Sequence, residues 1–364
     1  MKGRNIMGGN AMQAYGAKRV DADLAHQKAF EVSQALDQVL TNHGITRLCH
    51  VIRAYREKAT FGDLDLLVQQ EAVDAIGQKR IVNELGALLG HDLPYYQVHP
   101  KAPQFHTALP LEGGGSLQID FQMIPEITFD YAKDYFAWND LSKLMQILGR
   151  TMGGINFGVD GLSRSVKHKG QVIGHVTFTR DFNEALDFLG YHVERFSQGF
   201  DNLEAMYEFA VKNTRINSSM YQWENRTSRG RGQDMDRPTY LGFLEWMKGR
   251  DLPVDEPVDD TDWVAKAYER FPGAYAERDA LFAELSGLDS FRVRFNGGVV
   301  TKLTGLKGES LGIFMKAYRK HEGEDVFVKK VLAMSDEDLH ARIQAYWSLC
   351  TQLPTPSFDD ITPR

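Results

Sequence analysis

Cysteine is almost absent from this chain of 364 residues, where only Cys49 and Cys350 occur. Two isolated thiols provide neither a disulfide framework nor the Cys/His spacing of a zinc site. Long apolar runs are missing too. None approaches the ~18–20 residues of a transmembrane helix, and the first twenty residues lack the apolar stretch of a secretory signal. The expectation is a cytoplasmic protein with no membrane partner and no obligate protein partner. Positive charge is not in excess either: 42 basic residues stand against 49 acidic ones, a net charge of −7. This excludes a uniformly basic nucleic-acid binder but leaves room for a local basic patch. Internal repeats and low-complexity tracts are lacking.

Apolar residues, by contrast, are plentiful at 43%, with 11% aromatic, enough for substantial cores. The length suggests two or three domains. Residues 1–20, with Gly8-Gly9-Asn10, read as a flexible start. Asp21 to Leu40 has helical period, with Ala25, Ala29, Val32, Leu36 and Val39 on one stripe. Leu48 to Ala54 and Phe61 to Val68 read as strands, and Val68 to Leu89 as a helix. Phe105 to Leu111 and Ser116 to Ile124, joined through Gly113-Gly114-Gly115, form a hairpin pattern. Next come a helix over Ala137–Met152 and a hairpin around Lys167–Thr179. After Tyr191 the chain is mainly helical, with an acidic, proline-bearing linker at Leu252–Asp260.

Within this pattern, Phe61-Gly62-Asp63-Leu64-Asp65-Leu66-Leu67-Val68 carries the most information. On a strand, residues i and i+2 share a face, so Asp63 and Asp65 stand side by side while Leu64 and Leu66 point into a core. Like charges that close repel unless a cation intervenes. Asp120, in the apolar run Leu117 to Ile124, is placed to add a third carboxylate from a neighbouring strand. Three carboxylates suit Mg²⁺, with Mn²⁺ as a substitute, and two such ions would clamp the attacking and leaving oxygens of a nucleotidyl transfer. The competing interpretation of an Asp-x-Asp is an exposed strand face or a turn.

The residues around these aspartates resemble family X DNA polymerases. Tyr55-Arg56-Glu57-Lys58-Ala59-Thr60-Phe61-Gly62-Asp63-Leu64-Asp65 is similar to the segment leading into that family's carboxylate pair. Ile119-Asp120-Phe121-Gln122-Met123-Ile124-Pro125-Glu126 resembles its third-carboxylate strand. Tyr135-Phe136-Ala137-Trp138-Asn139 looks like its segment at the sugar of the incoming nucleotide. Leu141–Leu162 and Phe182–Gly190 follow in the same order, so the resemblance covers residues 45–191. It implies metal ligation and catalysis by Asp63, Asp65 and Asp120. It also implies nucleotide binding by Gly62, Tyr135, Phe136 and Asn139, while Arg53, Arg56 and Lys58 are the nearby basic candidates to hold the triphosphate. The chain departs from the wider nucleotidyltransferase pattern at Ile52-Arg53-Ala54, where a Gly-Ser or Gly-Gly would let the backbone approach a triphosphate.

Near the C-terminus, Phe295-Asn296-Gly297-Gly298 through Gly305-Leu306-Lys307-Gly308 to Leu311-Gly312 resembles the helical domain of tRNA CCA-adding enzymes and bacterial poly(A) polymerases. Gly312 is expected there to permit close helix packing. A basic stretch, Lys212 to Arg237, interleaves Arg215, Arg226, Arg229 and Arg231 with Tyr221 and Trp223. Arginines meet phosphates and aromatics stack on unpaired bases, so these six are the candidate nucleic-acid contacts; a solvated loop is the alternative.

The resulting expectation is an α+β protein with a polymerase-beta-like nucleotidyltransferase core of mixed sheet, residues 21–130. A thumb-like subdomain at 131–191 and a helical nucleic-acid-binding region at 192–364 would follow. It would move a nucleoside monophosphate from a triphosphate to the 3′-hydroxyl of tRNA or another RNA, releasing pyrophosphate. Template-directed DNA synthesis and a non-catalytic nucleic-acid-binding scaffold are the rival expectations.

Overall fold

The structure is a computed structural model and describes residues 11–99, 102–213, 215–252 and 262–352. Gly8-Gly9-Asn10 and most of the acidic linker lie outside the described residues. The protein is α+β, with a mixed sheet and a helical C-terminal region. By packing, it forms two compact units: one up to Ser165 together with His175–Ala274, the other Val166–Gly174 together with Tyr275 onward. The helical region after residue 192 is therefore shared between them.

The first unit opens with β1 (Val20–Asp21) and α1 (Ala22–Asn42). Asp21 caps α1, its side chain accepting from the Leu24 N–H at 2.9 Å, and so satisfies one of the free donors at the helix start. β2 (His50–Val51), β3 (Thr60–Phe61) and β4 (Asp63–Gln69) follow. The expected 68–89 helix is two helices, α2 (Gln70–Ile76) and α3 (Gln78–Leu89), divided by Gly77 at φ 95°. β5 (Gln104–Pro110) and β6 (Ser116–Ile124) realise the expected hairpin. Strand order in the central sheet is β2-β4-β6-β5, with β4 and β6 parallel and the other pairs antiparallel. One face of this sheet supplies Leu64, Leu66, Val68, Phe105, Ile119 and Phe121 to a core shared with the apolar stripes of α1 and α3.

Residues 11–20 are not the loose segment expected. Met12 is fully buried and its N–H donates to Gln118 Oε1 at 3.1 Å. Lys18 N–H donates to the Ser116 carbonyl, and β1 pairs with β3. A buried apolar side chain and sheet hydrogen bonds, both invisible in local composition, hold this segment.

Beyond the sheet come α4 (Glu126–Tyr135) and α5 (Leu141–Thr151). α5 starts four residues later than its apolar pattern suggests, because Trp138 and Asn139 adopt left-handed backbone, φ 63° and 55°. β7 (Ile155–Gly158), β8 (Gly161–His168) and β9 (Gln171–Thr179) make a three-stranded sheet. The first unit resumes at His175 and continues through α6 (Phe182–Leu189), α7 (Val193–Ser197) and α8 (Leu203–Val211), then α9 (Ser228–Asp234), α10 (Pro238–Met247) and α11 (Trp263–Arg270).

In the second unit, α12 (Gly273–Arg294), α13 (Gly297–Thr304), α14 (Gly308–Glu322), α15 (Phe327–Ala333) and α16 (Asp336–Gln352) surround an aromatic core. Phe291, Phe295, Phe314, Tyr318 and Phe327 are its main members. Asn296 caps α13 by accepting from the Val299 N–H, and Gly305 ends that helix at φ 75°. Gly312 does not serve close packing: a β-carbon there would meet nothing within 4 Å.

Candidate active site

Parallel pairing of β4 with β6 sets Asp65 directly opposite Asp120 and Asp63 opposite Gln118. Antiparallel pairing of β5 sets His106 on the other side of Asp120. Side chains that face each other across strands share a sheet face, and residues two apart share it too. His106, Asp120 and Asp65 therefore form one cross-strand row, with Gln118 and Asp63 in the next. The opposite face is the apolar core. Further along the polar face, Leu67 and Ile124 turn apolar and are covered by Phe129 and Ala132 of α4, which closes that end.

The row is electrostatically tense. Burial holds the Asp65 carboxyl well above the usual carboxylate range, and the charges of Asp63 and Asp120 push it further. Asp63 is raised in the same way, by burial first and by Asp120 second, while Lys58 and Arg19 partly relieve it. Burial lowers Lys58, and the attraction of Asp63 and Asp65 opposes that shift. Lys58 is thus a cation that acts on both acids, its ammonium also lying 4.4 Å from the centre of the Phe61 ring. Asp120 Oδ1 accepts from His106 Nδ1 at 2.7 Å and from Gln118 Nε2 at 2.8 Å.

Oxygen donors in mutual repulsion fit a hard divalent cation in chemistry. The side chains are not closed around a common point: among the described residues, no group of three or more His, Cys, Asp or Glu is placed to hold a metal ion.

Gly62 sits where a β-carbon would come 3.1 Å from Arg19 Nη1. It makes room for Arg19, which donates to the Thr60 carbonyl at 2.8 Å and to the Thr60 hydroxyl. Arg19, His106 and Gln118 are not among the candidate site residues that the sequence motifs mark. For His106 and Gln118 a signal existed, since both are polar residues in otherwise apolar strand patterns.

The arginines expected at the triphosphate are engaged with acids. Arg53 pairs with Asp134 at 2.5 Å and lies 4.9 Å over the Trp138 ring. Arg56 pairs with Asp201 at 2.5 Å and also donates to the Gln198 carbonyl. Tyr135 is buried among Phe136, Phe157 and Tyr131, and burial pushes its phenol up to about 12. Phe136 packs against the Leu67 cluster. Asn139 Oδ1 and Trp138 Nε1 are both buried without a hydrogen-bond partner.

Part of the basic stretch lies inside the fold rather than at a nucleic-acid surface. Tyr221 is fully buried and Arg226 is 8% exposed, so neither can stack on a base or meet a phosphate at the surface. Arg226 pairs with Asp234 and donates to the Tyr240 hydroxyl at 2.6 Å. An acid eight positions along captures it inside the fold. Arg215 is half-buried over Trp263, 4.1 Å from that ring, and donates to the Phe188 carbonyl. Trp223 packs on Tyr240, with ring centres 5.2 Å apart, and its carbonyl accepts from Arg231. Arg231 is exposed. The Arg229 side chain lies outside the described residues. The Arg229-Gly230-Arg231-Gly232 segment is helical in α9 rather than a loop.

Compared with known families and with curated proteins, the chain gives no match to either.

Proposed function

We propose that the protein is a metal-dependent nucleotidyltransferase that joins a nucleoside monophosphate to an RNA 3′-hydroxyl and releases pyrophosphate. The observation that carries this reading is the register of β4 and β6, which puts Asp65 opposite Asp120 with Asp63 on the same face. Asp63, Asp65 and Asp120 would hold Mg²⁺ or Mn²⁺. Such an ion, when bound, favours ionisation of an attacking hydroxyl and neutralises charge on the α-phosphate. Lys58, already acting on both acids, is the chain's own counter-charge for them and for a triphosphate brought to the site. Arg53 and Arg56 would have to exchange Asp134 and Asp201 for phosphate oxygens to take part. The 3′-oxygen would attack the α-phosphorus, and the bond to the β-phosphate bridging oxygen would break. Incubation with Mg²⁺, each labelled triphosphate and separate RNA and DNA acceptors tests this. Extension of RNA that is lost in Asp63→Ala supports it, whereas template-dependent extension of DNA alone would favour a family X-like polymerase.

A second reading has its own support. With the arginines paired to acids and no closed ligand set among the described residues, a nucleic-acid-binding scaffold without catalysis is the alternative. Acceptor binding with no transfer under any divalent cation would favour it.

A further inference from the structure

We propose that His106 and Gln118 are positioning residues for Asp120, loading one carboxylate oxygen so that the other alone is offered to the site. This rests on the metal-dependent reading above. Both hydrogen bonds to Asp120 arrive at the same atom, Oδ1, at 2.7 Å from His106 Nδ1 and 2.8 Å from Gln118 Nε2. All three side chains are almost wholly inaccessible: His106 and Asp120 are 3% exposed and Gln118 is 0% exposed. A carboxylate with one oxygen saturated in this way cannot rotate without breaking two buried hydrogen bonds.

The orientation of Gln118 is itself imposed. Its Oε1 accepts from the Met12 backbone N–H at 3.1 Å. A backbone N–H can only donate, so the amide oxygen must face Met12 and the amide nitrogen must face Asp120. The chain of contacts runs from the buried N-terminal segment through Gln118 to Asp120, with His106 bracing the same oxygen from β5.

His106 is also retained at a cost. Its Nε2 is buried with no hydrogen-bond partner, and its backbone neighbour Phe105 belongs to the apolar core. An unpaired buried nitrogen lowers stability, so packing alone would favour an apolar residue at this position. The Nδ1–H donor is what the position uses.

The side-chain chemistry supplies a discriminating series. Asparagine carries an N–H near the place of Nδ1, glutamine carries one near Nε2, and leucine carries none. The test is calorimetric titration of Mn²⁺ into the full chain and into His106→Asn, His106→Gln and His106→Leu, with Asp65→Ala as control. Partners of metal ligands typically alter affinity by roughly 10–100-fold. His106→Leu and His106→Gln are expected to lose affinity in that range, and His106→Asn to recover most of it. Melting temperatures in the absence of metal should not follow the same order, since Leu removes the unpaired Nε2. A role in packing alone would give affinities that track melting temperature, or Leu equal to the unaltered chain, and either result overturns the proposal while leaving the metal site standing. Mn²⁺ binding that Asp65→Ala leaves unchanged, or no binding to the unaltered chain, overturns the metal-dependent reading and this proposal with it. As a readout without metal, the imidazole NMR spectrum should show a hydrogen-bonded Nδ1 proton that Asp120→Ala removes. Its absence in the unaltered chain would also refute the positioning role.

Discussion

Replacing Asp65 by asparagine should stabilise the metal-free protein at neutral pH, an unusual direction for a half-buried residue. Asp65 and Asp120 face each other across adjacent strands, about 5 Å apart in backbone spacing. Two ionised carboxylates at about that distance repel by roughly 3 kcal/mol at an effective dielectric of about 20. Asp63, two residues away on the same strand, adds to this repulsion, and Lys58 offsets part of it. A net relief of about 2 kcal/mol corresponds to a rise of roughly 4–8 °C in melting temperature for a unit of 150–250 residues. The pH dependence has a definite sign. Asp65 in the folded protein holds its proton above the usual carboxylate range, so the folded state binds more protons than the unfolded chain. Stability of the unaltered protein then falls as pH rises from the unfolded value of about 4 through the raised folded value. The gain from Asp65→Asn should be full above the folded value and vanish below about pH 4. Thermal unfolding by circular dichroism in chelator, from pH 3 to 8, reads this directly. Mg²⁺ should reverse the ranking, because a ligand at about 100 times its Kd stabilises by about 2.7 kcal/mol and Asp65→Asn offers it only a neutral amide oxygen in place of a carboxylate. A variant less stable than the unaltered protein at pH 7 in chelator would refute the electrostatic account.

Other outcomes follow from the same structure. Arg226→Ala should destabilise by up to about 3 kcal/mol, because it leaves Asp234 charged and buried with only Arg237, 3.7 Å away, as its cationic partner; chemical denaturation measures this, and a change below about 1 kcal/mol would return Arg226 to the surface. Arg231→Ala should leave stability unchanged and, if α9 meets nucleic acid, flatten the salt dependence of acceptor binding; an unchanged slope in filter-binding assays would remove α9 from the interface. Phe314→Ala in the second unit, where Phe314 is 1% exposed, should cost about 3–5 kcal/mol by urea unfolding; a cost under about 1 kcal/mol would contradict the aromatic core.

What was legible in the sequence had a period. Asp63-Leu64-Asp65-Leu66 alternates strictly, so the face of each side chain followed from the pleat, and Ile119-Asp120-Phe121 repeats the alternation on β6. The Gly113-Gly114-Gly115 turn fixed the β5–β6 hairpin for the same local reason. What was not legible depends on registers between distant strands. His106 meets Asp120 only because of the β5·β6 pairing, and Met12 meets Gln118 across 106 positions. Arg226 and Tyr221 lie inside rather than at the surface because charge and aromatic density along a chain does not reveal which side chains an acid such as Asp234 will draw inside. Helix ends shifted where single residues took left-handed backbone, as at Gly77, Trp138 and Asn139.

The central claim is that Asp63, Asp65 and Asp120 bind a divalent cation that supports nucleotidyl transfer. Its most direct test is one gel assay: RNA labelled at its 5′ end, a mixture of the four ribonucleoside triphosphates, Mg²⁺, and either the unaltered chain or Asp63→Ala and Asp65→Ala. The account predicts RNA lengthened at its 3′ end by the unaltered chain and lost in both variants, whose circular dichroism spectra stay unchanged. Extension by either variant at near the unaltered rate would contradict it.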